Sequence, residues 1–117
     1  MGAGRRLDEA RKRLPKLHTV QSYVSDPIQV AALAAQMKAE FPRLNVLVNS
    51  AGVMLGRNLS DPTHDLVDLT REIDKNLSGV VRTTAALMDL IIANRGTILN
   101  ISSALALVPA PAMPIAA

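Results

Sequence analysis

Hydrophobic and polar positions along the chain alternate between the spacing of a helix and the spacing of a strand. The charged stretch from Arg5 to Leu14 indicates a surface helix. Polar and apolar residues then alternate from His18 to Val24, as they do in a strand. Asp26 and Pro27 supply the N-cap and the first residue of a second helix, which ends at Pro42.

The second half of the chain contains two short apolar runs on either side of a long helical pattern. The compact run from Asn45 to Asn49 predicts a strand that is buried on both faces. The long helix runs from Asp65 to Ala93, and the segment Asn94-Arg95-Gly96 indicates its C-terminal cap. A further strand covers Thr97 to Ile101. The apolar stripe of the long helix consists of Leu66, Leu69, Ile73, Leu77, Val80, Leu87 and Ile91.

This order of elements predicts an α/β fold, because strands that alternate with helices form a parallel sheet with right-handed crossovers. The length of 117 residues is that of one domain. Hydrophobic residues make up 49% of the chain, but Tyr23 and Phe41 are the only aromatic residues. The core is therefore expected to consist of aliphatic side chains.

Composition narrows the classes of function. The net charge is +3, and the basic residues concentrate between Arg5 and Lys16, where Asp8 and Glu9 also occur. A solvated helix face explains this mixture better than a nucleic-acid-binding surface. The chain has no cysteine, which excludes disulfides and thiolate metal sites, and no apolar run reaches the roughly 20 residues of a membrane span. We therefore expect a cytoplasmic protein without nucleic-acid, membrane or metal partners.

Candidate ligand-binding residues directly follow the strands, because open parallel sheets bind ligands beyond the carboxyl ends of their strands. Ala51 and Gly52 would let a ligand approach the backbone, although an ordinary turn explains them equally well. Asn76 shares the spacing of the apolar stripe, so we expect its side chain to be buried beside this turn; a purely structural Asn is the alternative. The candidate segments are Val24 to Asp26, Asn49 to Gly52, and Ser102 to Ser103.

Three segments, LVNSAGV, DKNLSGV and GTILNISS, resemble the short-chain dehydrogenase/reductase family in their order and spacing. Classical members carry an Asn-Asn-Ala-Gly turn, a helix Asn in an Asn-Leu-x-Gly context, and a Ser at a strand end. The resemblance extends from about Gly4 to Ile115. It implies a partial Rossmann-like, doubly wound parallel sheet in a three-layer αβα arrangement, with residues 1–117 as a single incomplete NAD(P)-binding domain.

The resemblance also implies roles for particular residues. Ser103 would bind the substrate carbonyl or hydroxyl, and Asn76 would belong to the proton relay. Arg5 and Arg6 could pair with a ribose phosphate, which favours NADP over NAD. The cofactor-binding residues would be Asn49, Ala51, Gly52, Val24, Arg5 and Arg6. Two positions depart from the family pattern: Tyr23 stands where an adenine-contacting Asp is usual, and Ser50 replaces the second Asn of the turn.

Two parts of the family pattern are absent from this sequence. No strand precedes Gly4, so the Gly-rich pyrophosphate loop is missing, and Ala116 stands thirteen positions after Ser103, where the catalytic Tyr belongs. His18 and His64 are more typical of surface histidines than of a replacement base. The resemblance thus implies that the first βαβ unit and the C-terminal part are missing.

Two functions remain open on this basis. The first is a segment of an NAD(P)-dependent oxidoreductase that acts, when complete, on a small carbonyl compound or secondary alcohol. The second is a non-catalytic interaction protein that uses the long helix 65–93 as its surface. The same helix could also form a homo-oligomer.

The absence of the first βαβ unit changes the strand pairing that we expect in the sheet. The family strand order 3-2-1-4-5 places the strand over His18 to Val24 three spacings, roughly 14 Å, from the strand over Asn45 to Asn49. Unpaired strand edges are costly. We therefore expect either direct pairing of these two strands or a chain that is partly folded and prone to aggregation.

The missing loop and Tyr predict that the 117-residue chain neither binds NADPH below millimolar concentration nor oxidises it with simple ketones or aldehydes. The loop would supply backbone N–H groups for the pyrophosphate. A positioned general acid typically contributes on the order of 10²–10⁴-fold. Calorimetric titration and nicotinamide absorbance over a carbonyl panel test this. Saturable binding with turnover that disappears in Ser103→Ala would contradict it.

Overall fold

The computed structural model describes residues 3–56, 58–63 and 65–108. A π-helical turn, Asp74–Ser78, joins the fourth helix to the fifth, and a 3₁₀ turn, Ala104–Ala106, follows the second strand. The helices are α1 (Ala3–Arg13), α2 (Pro27–Glu40), α3 (Leu66–Leu69), α4 (Arg71–Ile73) and α5 (Gly79–Ala93), and the strands are β1 (Val46–Asn49) and β2 (Thr97–Asn100).

Helix α2 begins where the sequence predicts. Oδ1 of Asp26 accepts hydrogen bonds from the backbone N–H groups of Ile28, at 2.9 Å, and Gln29, so two donors of the first turn have a partner. Pro27 occupies the first helical position, where its missing N–H costs nothing. The capping prediction is therefore confirmed.

The two strands pair in parallel, with Val46 opposite Thr97 and Asn49 opposite Asn100. Helix α5 packs on both strands, and α2 packs on α5. Three buried side chains from these helices form the core together with Leu47 of β1; they are Ala34, Leu87 and Leu90. The parallel α/β arrangement is therefore as predicted, and it places the carboxyl ends of both strands at one edge of the sheet. The expectation that β1 is buried on both faces is wrong, because Val46 and Val48 are exposed on the face opposite the helices.

The strand expected from His18 to Val24 is not formed, so its direct pairing with β1 is wrong. In the part of the chain that the structure describes, no strand lies beside this segment to complete a ladder. Side-chain contacts hold the segment instead: Arg11 donates to the Thr19 carbonyl at 3.2 Å, and the Tyr23 N–H donates to Oε1 of Gln29 at 3.0 Å. Alternation alone does not make a strand without a partner. The alternative, a chain prone to aggregation, stays a prediction.

The long helix predicted from Asp65 to Ala93 is interrupted at Thr70 and again at the π-helical turn. A π turn contains one residue more than an α-helical turn, and each extra residue rotates the positions before it by about 100° relative to those after it. The predicted stripe is correct at Leu87 and Ile91, which are buried, but wrong at Leu66, Ile73 and Leu77, which are exposed.

The segment Leu66–Ala93 is, among the described residues, the one helical stretch long and apolar enough to cross a membrane by length and composition. The core helix of a globular domain has the same properties. Here Leu87 and Leu90 of this segment pack against Ala34 of α2, so part of its apolar surface belongs to the core, whereas Val81 and Ile92 are exposed.

Asn94 ends α5 and ties it to the connection between α2 and β1. Its Nδ2 atom lies within hydrogen-bond distance of three carbonyl oxygens, at 2.9 Å from Pro42, 3.1 Å from Leu44 and 2.9 Å from Leu90. Of the predicted cap residues Asn94, Arg95 and Gly96, Arg95 adopts the left-handed conformation, with φ of 49°. Gly96 is required because a Cβ atom there would collide with the Asn45 carbonyl group.

Gly96→Ala should lower the free energy of unfolding by about 1–3 kcal/mol, because the added Cβ must displace backbone. Arg95→Gly should leave it unchanged or raise it by less than about 1 kcal/mol, because it relieves a left-handed residue but adds chain entropy to the unfolded state. Urea unfolding followed by circular dichroism measures both. An equal decrease in the free energy of unfolding in the two variants would contradict the close contact assigned to Gly96.

Candidate functional site

A cleft of about 420 Å³ opens where β1 and β2 end at their carboxyl side. One wall is the segment from Asn49 to Met54, and the other contains Ile101 to Ser103. Asn76 and Val80 of the π turn and α5 complete the lining. The cleft thus brings together five of the predicted site residues, namely Asn49, Ala51, Gly52, Asn76 and Ser103.

Ser103 is exposed at the cleft and has an extended backbone. Its Oγ atom accepts a hydrogen bond from the Leu105 N–H at 3.2 Å, which caps the 3₁₀ turn. A hydroxyl group carries one hydrogen besides its acceptor lone pairs. This capping contact therefore uses Ser103 as an acceptor and leaves its hydrogen to donate to an oxygen atom of a ligand.

Asn49 joins the ends of both strands to helix α5. Its Nδ2 atom donates to Oδ1 of Asn100 at 2.8 Å and to Oγ1 of Thr84 at 3.1 Å, and the residue is only 8% exposed. Both hydrogens of the amide are thus occupied inside the protein. Asn49 lines the cleft, but its amide nitrogen orients the sheet rather than a ligand.

Asn76 lies beside the turn as predicted, but the expectation that it is buried is wrong, because its side chain is exposed. The π turn rotates it off the buried face of α5. Its Oδ1 accepts from the Val53 N–H at 2.8 Å, and its Nδ2 donates to the Val53 carbonyl at 2.7 Å. This pair of bonds fixes the backbone that follows Gly52. A Cβ atom at Gly52 would lie 3.2 Å from Oδ1 of Asn76, so the glycine leaves room for this amide.

Glu72 is a residue that the sequence analysis did not identify. It is 1% exposed, and its Oε1 atom accepts a short hydrogen bond from the Leu55 N–H. Its Oε2 atom is buried and has no hydrogen-bond partner among the described residues. The available signal was its position four residues before Asn76, which places two polar side chains one turn apart on a helix.

The remaining predicted residues lie away from this cleft. Val24 lines a second cavity of about 260 Å³, together with Ala51 and Lys75. Arg5 and Arg6 are exposed on α1, which packs against no other helix or strand of the described part. No contact brings these two arginines to either cavity, so their role stays a prediction.

The structure describes only some of the other candidate groups, which are the two histidines, Ala116 and possible metal ligands. His18 packs edge-on against the ring of Phe41, with centroids 5.0 Å apart, so it has a structural contact. His64 and Ala116 lie outside the described residues. Within those residues, no group of three or more His, Cys, Asp or Glu side chains could hold a metal ion.

Residues 3–115 match the model of the short chain dehydrogenase family, and the chain belongs to this family. It is 33% identical over 111 residues to the uncharacterized oxidoreductase DltE of Bacillus subtilis, a match that covers 94% of this chain and 44% of the relative. The chain therefore spans less than half the length of this relative.

Two solved structures have the same arrangement of elements. Ligand-free aldohexose dehydrogenase of Thermoplasma acidophilum matches with a TM-score of 0.79 and 26% identity, over 86% of this chain and 39% of that one. ElxO with NADP bound matches with a TM-score of 0.76 and 26% identity, over 93% of this chain and 46% of that one. The predicted partial Rossmann-like fold is therefore confirmed.

Asn76→Leu should speed amide exchange at Val53 on the order of tenfold, since it removes both hydrogen bonds to that backbone. Asn58→Leu, in the same loop region, is the matched control and should leave Val53 unchanged. Exchange at Val53 that is equal in both variants would show that Asn76 does not hold this segment.

Proposed function

We propose that this chain contributes the substrate-binding serine and one wall of the nicotinamide site to an NAD(P)-dependent oxidoreductase. The complete reaction is hydride transfer between the nicotinamide and a carbonyl or secondary alcohol. The observation that carries the proposal is the cleft at the strand ends, where Ser103 shares one space with Ala51 and Gly52. Family membership and the NADP-bound neighbour support it.

The chemistry of the cleft fits the nicotinamide end of such a cofactor. Ala51 and Gly52 carry little or no side chain, so a flat ring can approach the backbone. When bound, the nicotinamide would donate the hydride to a carbonyl carbon in its reduced form or accept it from an alcohol carbon in its oxidised form. The Ser103 hydroxyl donates a hydrogen bond to the substrate oxygen and stabilises charge that develops there. Asn76 keeps the Val53 backbone in place and, in the same proposal, belongs to the proton relay.

The residues that line the cleft include no lysine or arginine that could pair with a phosphate group, so we place the phosphate end of the cofactor outside this cleft. The neighbouring cavity contains Lys75 beside Val24 and Ala51. We assign the adenosine end of the cofactor to this cavity, with Asn49 holding the sheet edge between the two spaces. Arg5 and Arg6 would then select NADP through its ribose phosphate. A cytoplasmic location is part of this proposal.

A homo-oligomer is a second proposal, which is compatible with catalysis. Four apolar side chains at helical spacing are exposed on one side of the π turn and α5, and they are Leu77, Val81, Met88 and Ile92. A contiguous apolar helix face of this kind is typical of an interaction surface. Family membership favours an oxidoreductase over the non-catalytic alternative, so this surface would join copies of the enzyme.

Titration of the ¹⁵N-labelled chain with millimolar NADP⁺ tests the proposed site. We expect weak binding, with chemical-shift changes concentrated at the amides of Gly52 and Val53. Ala51→Glu should abolish them, because it adds bulk and a negative charge to the wall. Ala35→Glu, on the exposed face of α2, is the matched control and should retain them. Shifts that avoid the cleft, or that persist in Ala51→Glu, would refute the assignment.

A further inference from the structure

We propose that Glu72 is a positioning residue, which acts with Asn76 to hold the backbone from Val53 to Leu55 as a wall of the cleft. The inference rests on the proposed function in one respect, namely that this wall faces a nicotinamide. The hydrogen bonds that carry it lie within the protein itself.

The two side chains contact the same short stretch of backbone. Asn76 binds both the N–H and the carbonyl of Val53, and Glu72 binds the N–H of Leu55. Glu72 belongs to α4 and Asn76 to the π turn that follows it. Three polar groups of an otherwise irregular segment are therefore attached to one continuous piece of helix.

The position of the held segment links Glu72 to the site. Val53 and Met54 line the cleft that also contains Ser103, whereas Glu72 does not line it. A shift of this backbone would move the wall relative to Ser103. Glu72 therefore acts on the cleft through the loop and does not touch a ligand.

Packing does not account for a carboxyl group at this position. Glu72 is almost completely buried, and one of its two oxygens has no partner among the described residues. A buried polar atom without a partner is unfavourable, and a buried charged group can often be replaced by an apolar side chain of similar size without loss of stability. Methionine has nearly the length of glutamate and would leave no polar atom unpaired. The carboxyl group is thus explained by its bond to Leu55, at a cost to stability.

We expect the loss of the Glu72 carboxyl group to loosen the loop at Leu55 without lowering the stability of the chain. In Glu72→Met, amide exchange at Leu55 should become faster on the order of tenfold, while the urea midpoint stays equal or rises. In Glu72→Gln, exchange at Leu55 should remain close to that of the unchanged chain, because the amide oxygen can accept the same bond. Glu9→Met, on the exposed face of α1, removes the same charge and should change neither quantity.

The outcomes separate the alternatives. A Glu72→Met chain that unfolds at lower urea, fails to fold, or shows faster exchange at every amide would make Glu72 a stability residue and overturn the proposal. Equal acceleration at Leu55 in the Gln and Met variants would also overturn it. The NADP⁺ titration is independent: if the unchanged chain shows no localised shifts, the nicotinamide assignment fails, but the exchange result at Leu55 still decides whether Glu72 holds the loop.

Discussion

The parallel register of β1 and β2 is the constraint on which the site depends. Because Asn49 lies opposite Asn100, the two strands end at the same level, and the segments that follow them face each other across one cleft. The side chain of Asn49 links to Asn100 and to Thr84 of α5 at this level. A register shift of one residue would turn Asn49 to the opposite face of the sheet and separate these three groups.

The π-helical turn determines which side chains reach the cleft. With regular α-helical spacing, Asn76 would share the buried face with Val80 and Leu87, and its amide would need partners in the core. The extra residue of the turn instead places Asn76 at the surface, against the backbone of Val53. It also places Glu72 under the same loop. Irregular helical turns of this type are frequent at functional sites because they redirect side chains without breaking the helix.

Features set by neighbouring residues were easier to predict from the sequence than features set by residues far away in the chain. The N-cap at Asp26 depends on neighbouring residues and was predicted correctly. The strand ending at Asn49 was predicted at the right place, but its pairing with β2 and the exposure of Val46 and Val48 depend on distant parts of the chain. The strand over His18 to Val24 failed because a strand requires a partner elsewhere in the chain. The predicted stripe of the long helix was wrong before and within the π turn, because periodicity assumes constant helical spacing. Glu72 was not predicted because its role depends on a hydrogen bond to Leu55, which lies seventeen positions earlier in the chain.

Local and distant interactions also differ in the order in which they can form. The bond between the side chains of Asn49 and Asn100 spans 51 positions, and the bonds from Asn94 to Leu44 and Pro42 span 50 and 52. Contacts between distant residues require closure of a long loop before they contribute energy, which slows folding. Helix α2 can form from its own cap and turns, but β2, the strand that pairs with β1 among the described residues, is synthesised only after α5. On the ribosome, the apolar run of β1 therefore emerges well before the strand that pairs with it.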